Sequence, residues 1–464
     1  MFNEDSRVKI PCILHLVRLG YHYLPLNSAK WDKKTNIFPE LFQSAIAKIN
    51  PGMEEADTQQ LLKDISLTLD YEDLGQAFYE KLIAQSSPRL IDFSAPSNNT
   101  FHVVTELPCK NGNDEFRPDI TLLVNGMPLV FIEVKKPNNK EGIQAEHKRI
   151  IARCQNKRFW KFINITQFMI FSNNMEYEDG ASQPIEGAFY ASPSYTAPVF
   201  NYFREEEQLD LANILSPEND SVEDVILHDT NLPVIKHNPE FLSNKSPDTP
   251  TNRICSSLLS RDRLLFLLRY ALAYVKNTDG IHKHIMRYPQ FFATRAIKDK
   301  LDAGWRKGII WHTQGSGKTA LAYYNTRFLT DYYQAQTVIS KFYFIVDRID
   351  LLIQAEREFK SRGLRVHAIN SKDAFAKDIK SSQATHNHTG KPEITVVNIQ
   401  KFQDDPNVVA PSDYDINVQR VYFLDEVHRS YNPQGSFLAN LTQSDPNAVK
   451  IGLTGTPLLG TDYK

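Results

Sequence analysis

RPDITLLVNGMPLVFIEVKK, residues Arg117–Lys136, consists of two apolar runs on either side of Asn125-Gly126. Both of those residue types tolerate positive φ, so the pair marks a tight β-hairpin. Residues two apart on a strand face the same side, which puts Glu133 and Lys135 together. A three-residue connection, Asn125–Met127, places Asp119 directly opposite Glu133. A two-residue connection shifts the pairing by one and turns Asp119 to the other face. Convergence of the three charged groups therefore requires a loop of odd length. Glu133 also interrupts an otherwise apolar run, where a lone carboxylate is costly unless a metal or a partner compensates it.

Such a trio has a specific chemical use. Two carboxylates, Asp119 and Glu133, can ligate Mg²⁺ beside a scissile phosphate, and the Lys135 ammonium can stabilise charge on the nucleophile or the phosphorus. The plain alternative is a hairpin with a charged rim. The following helical stretch, Glu141–Arg158, carries Gln144, Glu146 and Arg149, suited to supporting or phosphate contacts. For Gln144 a solvated helix face is the competing reading.

Outward from this hairpin the period changes. Apolar spacing is helical over Ile10–Leu24, with Gly20 as a stop, and again around Ala45–Ile49 and Thr58–Gln85. It turns strand-like from Phe101 and again at Gln167–Phe171, which makes an α/β unit over residues 1–205. Residues 206–253 hold SPENDSVED and SPDTPTN and few periodic apolar positions, so they read as linker and surface excursions. From Ile254 to Lys464 strands (Gly308–Trp311, Lys341–Val346, Ile394–Val397, Val421–Leu424, Val449–Leu453) alternate with helices (Leu321–Tyr333, Leu351–Arg362), the pattern of a parallel sheet wrapped by helices.

The first of those strands runs into WHTQGSGKT. Backbone N–H groups of Gly315, Ser316, Gly317 and Lys318 at a helix start can cradle a β-phosphate. Lys318 would reach the β/γ-phosphates and Thr319 would ligate Mg²⁺. His312 stands where the generic motif has its first glycine, and a Gly-rich structural turn is the alternative. Val421–Leu424 ends in Asp425-Glu426-Val427-His428. Asp425 would hold Mg²⁺ through water, Glu426 would orient or deprotonate the attacking water, and His428 would couple the site to a neighbouring domain. Thr454 and Thr456, in GLTGTP, could relay the nucleotide state.

The bulk properties are compatible with this. A net charge of −2 rules out a uniformly basic coat but leaves room for a local basic channel. Four widely spaced cysteines form no CxxC pair and read as free thiols of a reducing compartment. No apolar run reaches membrane-spanning length, and MFNEDSRVKIP has no signal-peptide character, so a cytoplasmic location without membrane association is expected.

Pro118-Asp119…Glu133-Val134-Lys135 resembles the PD-(D/E)xK nuclease pattern, although Lys148 stands where many members of one branch have Tyr four residues after Gln144. The second set resembles superfamily 2 helicase-like motors. That resemblance makes Arg287-Tyr288-Pro289-Gln290 an adenine-reading element with Gln290 on the base; a helix-capping Pro-Gln is the alternative. It also places Val346–Arg348 and Val397–Phe402 at the DNA backbone. Nuclease directly followed by motor is similar to the restriction (R) subunit of type I restriction–modification enzymes. The expected architecture is thus an α/β PD-(D/E)xK domain followed by a RecA-like parallel-sheet P-loop domain. The resemblance implies ATP and Mg²⁺ as cofactors, and double-stranded DNA with methyltransferase and specificity subunits as partners. Lys464 falls seven residues after TGTP, where a second motor lobe is expected, so the sequence reads as the N-terminal part of a longer protein with poor ATP turnover of its own. Two other readings stay open: a methyltransferase-independent helicase–nuclease of repair or phage defence, and a non-catalytic fragment that binds DNA or partners.

Overall fold

The computed structural model describes residues 4–137, 143–178, 186–313, 315–381, 383, 385–386, 391–399, 417–425 and 445–455. It divides into two units, Met1–Ala273 with Ile281–Tyr288, and Tyr274–Gly280 with Pro289–Lys464. Both are mixed α/β, as the alternating periods imply.

In the first unit the strands are β1 (His22–Tyr23), β2 (Phe101–Thr105), β3 (Cys109–Asn111), β4 (Asp114–Phe116), β5 (Ile120–Val124), β6 (Met127–Val134), β7 (Phe168–Ser172), β8 (Ala188–Ala191) and β9 (Asn201–Tyr202). Seven of them form one sheet in the order β1-β2-β5-β6-β7-β8-β9; β3 and β4 pair separately. Every residue of β5, β6 and β7 is buried, which is why these runs are continuously apolar rather than alternating. The helices are α1 (Ile10–Arg18), α2 (Pro39–Ile49), α3 (Glu55–Thr68), α4 (Gln76–Leu82), α5 (Gln144–Gln155) and α6 (Trp160–Ile165). Gly20, at φ 97°, follows the end of α1 as its position in sequence implied.

The segment expected to be linker folds into α7 (Leu211–Ile214), α8 (Asp220–Asp229) and α9 (Pro239–Asn244). Three of its Asp and Asn residues, Asp210, Asn219 and Asn238, are N-caps rather than loop markers. The Asn219 side chain accepts from the Ser221 and Val222 amides, and Asn238 accepts from Glu240. The acidic run Glu205–Glu207 is anchored too, since buried Arg263 donates to Glu205 and Glu207 at 2.7 and 2.8 Å. Two further helices, α10 (Pro250–Leu259) and α11 (Arg261–Tyr270), belong to this first unit, so the division falls beyond the expected Ile254. The cause is tertiary: α10 bonds back to the N-terminal segment through Ser256–His15 (2.7 Å) and Leu259–Tyr21 (2.8 Å), and to β7 through Thr251–Ser172 (2.8 Å). All four cysteines are free and buried.

Strands β10 (Leu272–Asn277) and β11 (Gly280–Ile285) lie where the chain passes between the units. In the second unit, α12 (Tyr288–Asp302) precedes β12 (Lys307–Trp311), α13 (Lys318–Gln334), β13 (Ile339–Val346), α14 (Ile349–Ser361), β14 (Arg365–Ile369), α15 (Lys372–Lys380), β15 (Glu393–Asn398), β16 (Val418–Asp425) and β17 (Val449–Thr454). The sheet order is β12-β17-β16-β13-β15-β14, with every pairing parallel. β13, β15, β16 and β17 are buried almost throughout, whereas β12 is an edge strand that exposes Ile309 and Trp311. Among the described residues no helix is long and apolar enough to cross a membrane.

Candidate functional site

The hairpin turn is Asn125-Gly126, with φ of 52° and 77°. Val124 pairs with Met127, so the loop has two residues, not the odd number that convergence was argued to require. The missing residue is supplied inside the strand. Pairing is Leu123↔Pro128 and then Leu122↔Val130, so Leu129 bulges, and the ladder continues through Ile120↔Ile132. Extended one step, this register sets Asp119 opposite Glu133. The Val134 amide donates to Asp119 Oδ2 at 2.8 Å, which fixes that carboxylate at the end of the ladder. Glycine is needed at position 126 because a Cβ there would lie 2.7 Å from the Phe42 amide nitrogen and 2.8 Å from the Phe38 carbonyl.

Around this register four acidic and two basic side chains gather. Lys135 Nζ lies 3.7 Å from Asp119, 3.5 Å from Glu146 and 3.5 Å from Glu4. Burial works against its charge, yet the carboxylates prevail and hold its pKa above the ordinary lysine value. Glu133 is 3% exposed; burial, then the fields of Asp119 and Glu146, push its carboxyl well above the usual range. Arg153 opposes that shift with a 2.7 Å hydrogen bond to Glu133 Oε1, and its same nitrogen lies 3.4 Å from Glu146. Its guanidinium also sits over the Phe116 ring, 4.9 Å from the centroid. Glu4 is likewise shifted up by burial.

Of the residues singled out on α5, Gln144 is the first of the helix and half-buried, while exposed Arg149 reaches Glu146 at 3.4 Å. Glu146 is only 1% exposed and joins the cluster as a third buried-side carboxylate. Arg153 and Glu4 were missed. The signal for Arg153 was present: it lies seven residues, two helical turns, after Glu146, and the isolated Glu133 required a metal or a partner. Glu4 had no local signal, because only the fold brings the N-terminus to β6.

In the second unit the glycine loop leads into α13, whose N-cap Gly317 is left-handed at φ 84°; Gly315 is at φ 80°. A Cβ on Gly315 would meet nothing within 4 Å, so glycine serves the backbone conformation there, not the space. Lys318 and Thr319 open α13, where the helix dipole favours an anion. The Ser316 amide is already used, donating to Thr313 O at 3.1 Å, whereas Ser316 Oγ is buried without a hydrogen-bond partner. Gln290 is 3% exposed and donates its amide to Ser316 O (3.2 Å) and Gly317 O (3.1 Å), so here it braces the loop's backbone. Arg287 is exposed and belongs to the first unit.

The C-terminal ends of β12, β17 and β16 are adjacent, the usual place for ligands of a parallel sheet. Asp425 ends β16, paired with Leu453, and is half-buried. Thr454 ends β17, pairs with Trp311, and its carbonyl accepts from the His312 amide at 3.1 Å. Glu426, His428 and Thr456 lie outside the described residues, as do Gln400, Lys401 and Phe402.

Residues 1–181 match the family model described as type I restriction enzyme R protein N terminus, and residues 289–464 match that of the SWI2/SNF2 ATPase. The putative type I restriction enzyme MjaVIIP endonuclease subunit of Methanocaldococcus jannaschii is 27% identical over 361 residues, 72% of this chain and 28% of the relative. The MjaIXP endonuclease subunit of the same organism is 25% identical across 100% of this chain and 43% of its own length. The type I restriction enzyme HindI endonuclease subunit of Haemophilus influenzae is 24% identical across 99% of this chain and 43% of its own length. The chain therefore spans less than half the length of these relatives.

Proposed function

From a chain that joins the N-terminal region of type I restriction R proteins to a SWI2/SNF2 ATPase region, we propose the nuclease and first motor portion of an ATP-dependent restriction endonuclease subunit. The observation that carries the nuclease half is the bulge at Leu129, which restores the register between Asp119 and Glu133 that the two-residue turn alone would break.

The donor set fits a hard divalent cation. Asp119 and Glu133 supply carboxylate oxygens, and the upward shift of Glu133, from burial first and then from the fields of Asp119 and Glu146, is one that a cation would relieve. Mg²⁺ bound there would polarise the scissile phosphate and lower the pKa of water. Lys135, held protonated by its carboxylate neighbours, stabilises charge at the phosphorus or on the nucleophile. Glu146 and Arg153 orient Lys135 and Glu133 respectively. Burial of the carboxylates limits competition from bulk water.

In the motor half, Lys318 and the start of α13 bind the β/γ-phosphates, and Thr319 and Asp425 hold Mg²⁺. Glu426 orients or deprotonates the attacking water. Gln290 holds the loop's shape through two of its carbonyls. Double-stranded DNA is the substrate of both centres, translocated at the expense of ATP and cut when unmodified. Sequence recognition falls to methyltransferase and specificity subunits. Domain assignments follow the same reading: an endonuclease region first, then a RecA-like lobe.

The test is Mg²⁺-dependent cleavage of plasmid DNA by wild type and Lys135→Ala, each with partner subunits and ATP. Loss of cleavage only in the variant supports the assignment. Equal cleavage by both overturns it. Lys318→Ala in the same assay separates the motor, since it abolishes ATP-dependent cutting while leaving Mg²⁺ binding by the nuclease half intact.

A further inference from the structure

A second cluster lies at the far edge of the motor-side sheet, on none of the residues used above. His367 is on the edge strand β14, Asp378 on the last turn of α15, and His386 on the segment leading to β15. One ligand atom from each lies within 4.8 Å of the others. The imidazoles of His367 and His386 stack with centroids 3.8 Å apart at 14°. We propose that His367, Asp378 and His386 form a site for a borderline-soft divalent metal ion, of which Zn²⁺ is the natural probe.

Two details point to a ligand rather than to a chance histidine pair. First, Asp378 is nearly buried and its Oδ1 accepts no hydrogen bond, although His386 Nε2 approaches to 2.8 Å. Its other oxygen is fixed by the Tyr343 hydroxyl at 2.7 Å, so Oδ1 is held facing the cluster. Lys341 donates to the Asp378 carbonyl at 2.8 Å and its ammonium also forms a long ion pair with Oδ1 at 3.8 Å.

Second, His386 is already oriented as a ligand. Its Nδ1 lies 2.7 Å from Glu393 Oε1, which also accepts the His386 backbone amide at 2.9 Å. A carboxylate behind one ring nitrogen is the arrangement found behind most metal-bound histidines, and the other nitrogen, Nε2, faces Asp378 Oδ1.

Two nitrogens and one carboxylate oxygen, with remaining positions open to water, suit Zn²⁺ over Mg²⁺ or Ca²⁺, which prefer all-oxygen shells. Bound there, the ion would clip the edge strand, α15 and the following segment together. The competing arrangement, a His386 imidazolium bridging two carboxylates, needs no metal.

The experiment uses the full chain, stripped with chelator and titrated with Zn²⁺ by calorimetry in millimolar Mg²⁺, which occupies the all-oxygen sites. A single saturating equivalent is expected, lost in His386→Ala and His367→Ala and weakened roughly 10–100-fold in Glu393→Gln. Circular dichroism verifies that the variants remain folded. Co²⁺ gives a readout independent of the variants: the wild-type chain should show the visible bands of a low-coordinate, nitrogen-ligated ion. Absence of saturable Zn²⁺ binding, binding unchanged in both histidine variants, or a Co²⁺ spectrum of an all-oxygen six-coordinate ion each overturns the proposal.

Discussion

Replacing Arg153 by Met keeps an apolar side chain of similar length but removes the guanidinium that sits over Phe116 and balances Glu133 and Glu146. Hydrogen bonds to charged groups contribute ~1.5–3 kcal/mol each, and breaking a buried pair costs ~3–5 kcal/mol because it strands the partner. Here only the 2.7 Å bond to Glu133 is short, Lys135 still faces Glu146, and Glu133 can escape by taking a proton. The lower end of that range applies, ~2–3 kcal/mol at pH 8. For a unit of this size each kcal/mol moves the midpoint by ~2–4 °C, so the first calorimetric transition should fall by roughly 4–12 °C. The sign with pH follows from Glu133. Its folded pKa is raised above the unfolded value, and losing Arg153, which lowers it, raises it further. A group of this kind contributes stability that is fully present below the unfolded carboxyl pKa and is lost as pH rises through the folded one. The gap between variant and wild type should therefore shrink between pH 8 and pH 5, against the usual acid trend. Scanning calorimetry at both pH values measures it. A gap that is constant, or larger at pH 5, refutes the charge-balance account.

Gln290→Ala removes two hydrogen bonds to the glycine loop, ~1–2 kcal/mol in all, so nucleotide affinity should drop roughly 5–30-fold and equally for ATP and GTP. A loss confined to ATP, seen by competitive titration, would instead favour base reading. Gly126→Ala should lower stability by ~2 kcal/mol or more, because the new Cβ meets backbone at 2.7 Å and the φ of 77° suits glycine; denaturant midpoints check this. Asp445→Ala strands Arg420, paired with it at 2.5 Å with both side chains nearly fully buried, and should destabilise the second unit by ~3–5 kcal/mol at neutral pH. A midpoint shift under ~1 kcal/mol would show that Arg420 finds another partner.

Much of the local structure was legible in the sequence. Asn125-Gly126 makes the tight turn that its residue types require, and WHTQGSGKT runs from strand through glycine loop into α13 as its spacing implied. Where the local reading failed, it treated chemistry as composition. The Asp and Asn residues of 206–253 looked like loop punctuation but cap α7, α8 and α9, because a side-chain oxygen that serves a turn serves a helix N-terminus equally well. Thr58–Gln85 reads as one helical stretch and forms two, α3 and α4, separated by a turn with Leu74 and Gly75 at positive φ.

What the sequence determined by itself was therefore the kind of most elements and the identity of the charged trio Asp119, Glu133 and Lys135, since periodicity, turn preference and a carboxylate in an apolar run are local properties. Only the tertiary structure decided how those charges meet. The extra residue at Leu129 lies within a run whose pattern is apolar throughout, so no alternation marks where the ladder slips. Arg153, Glu146 and Glu4 reach Glu133 and Lys135 from separate elements, and Asp378 meets His367 and His386 from a helix against an edge strand. Such meetings follow from sheet order and helix packing, which depend on burying apolar faces over long sequence separations and leave no trace in any short window.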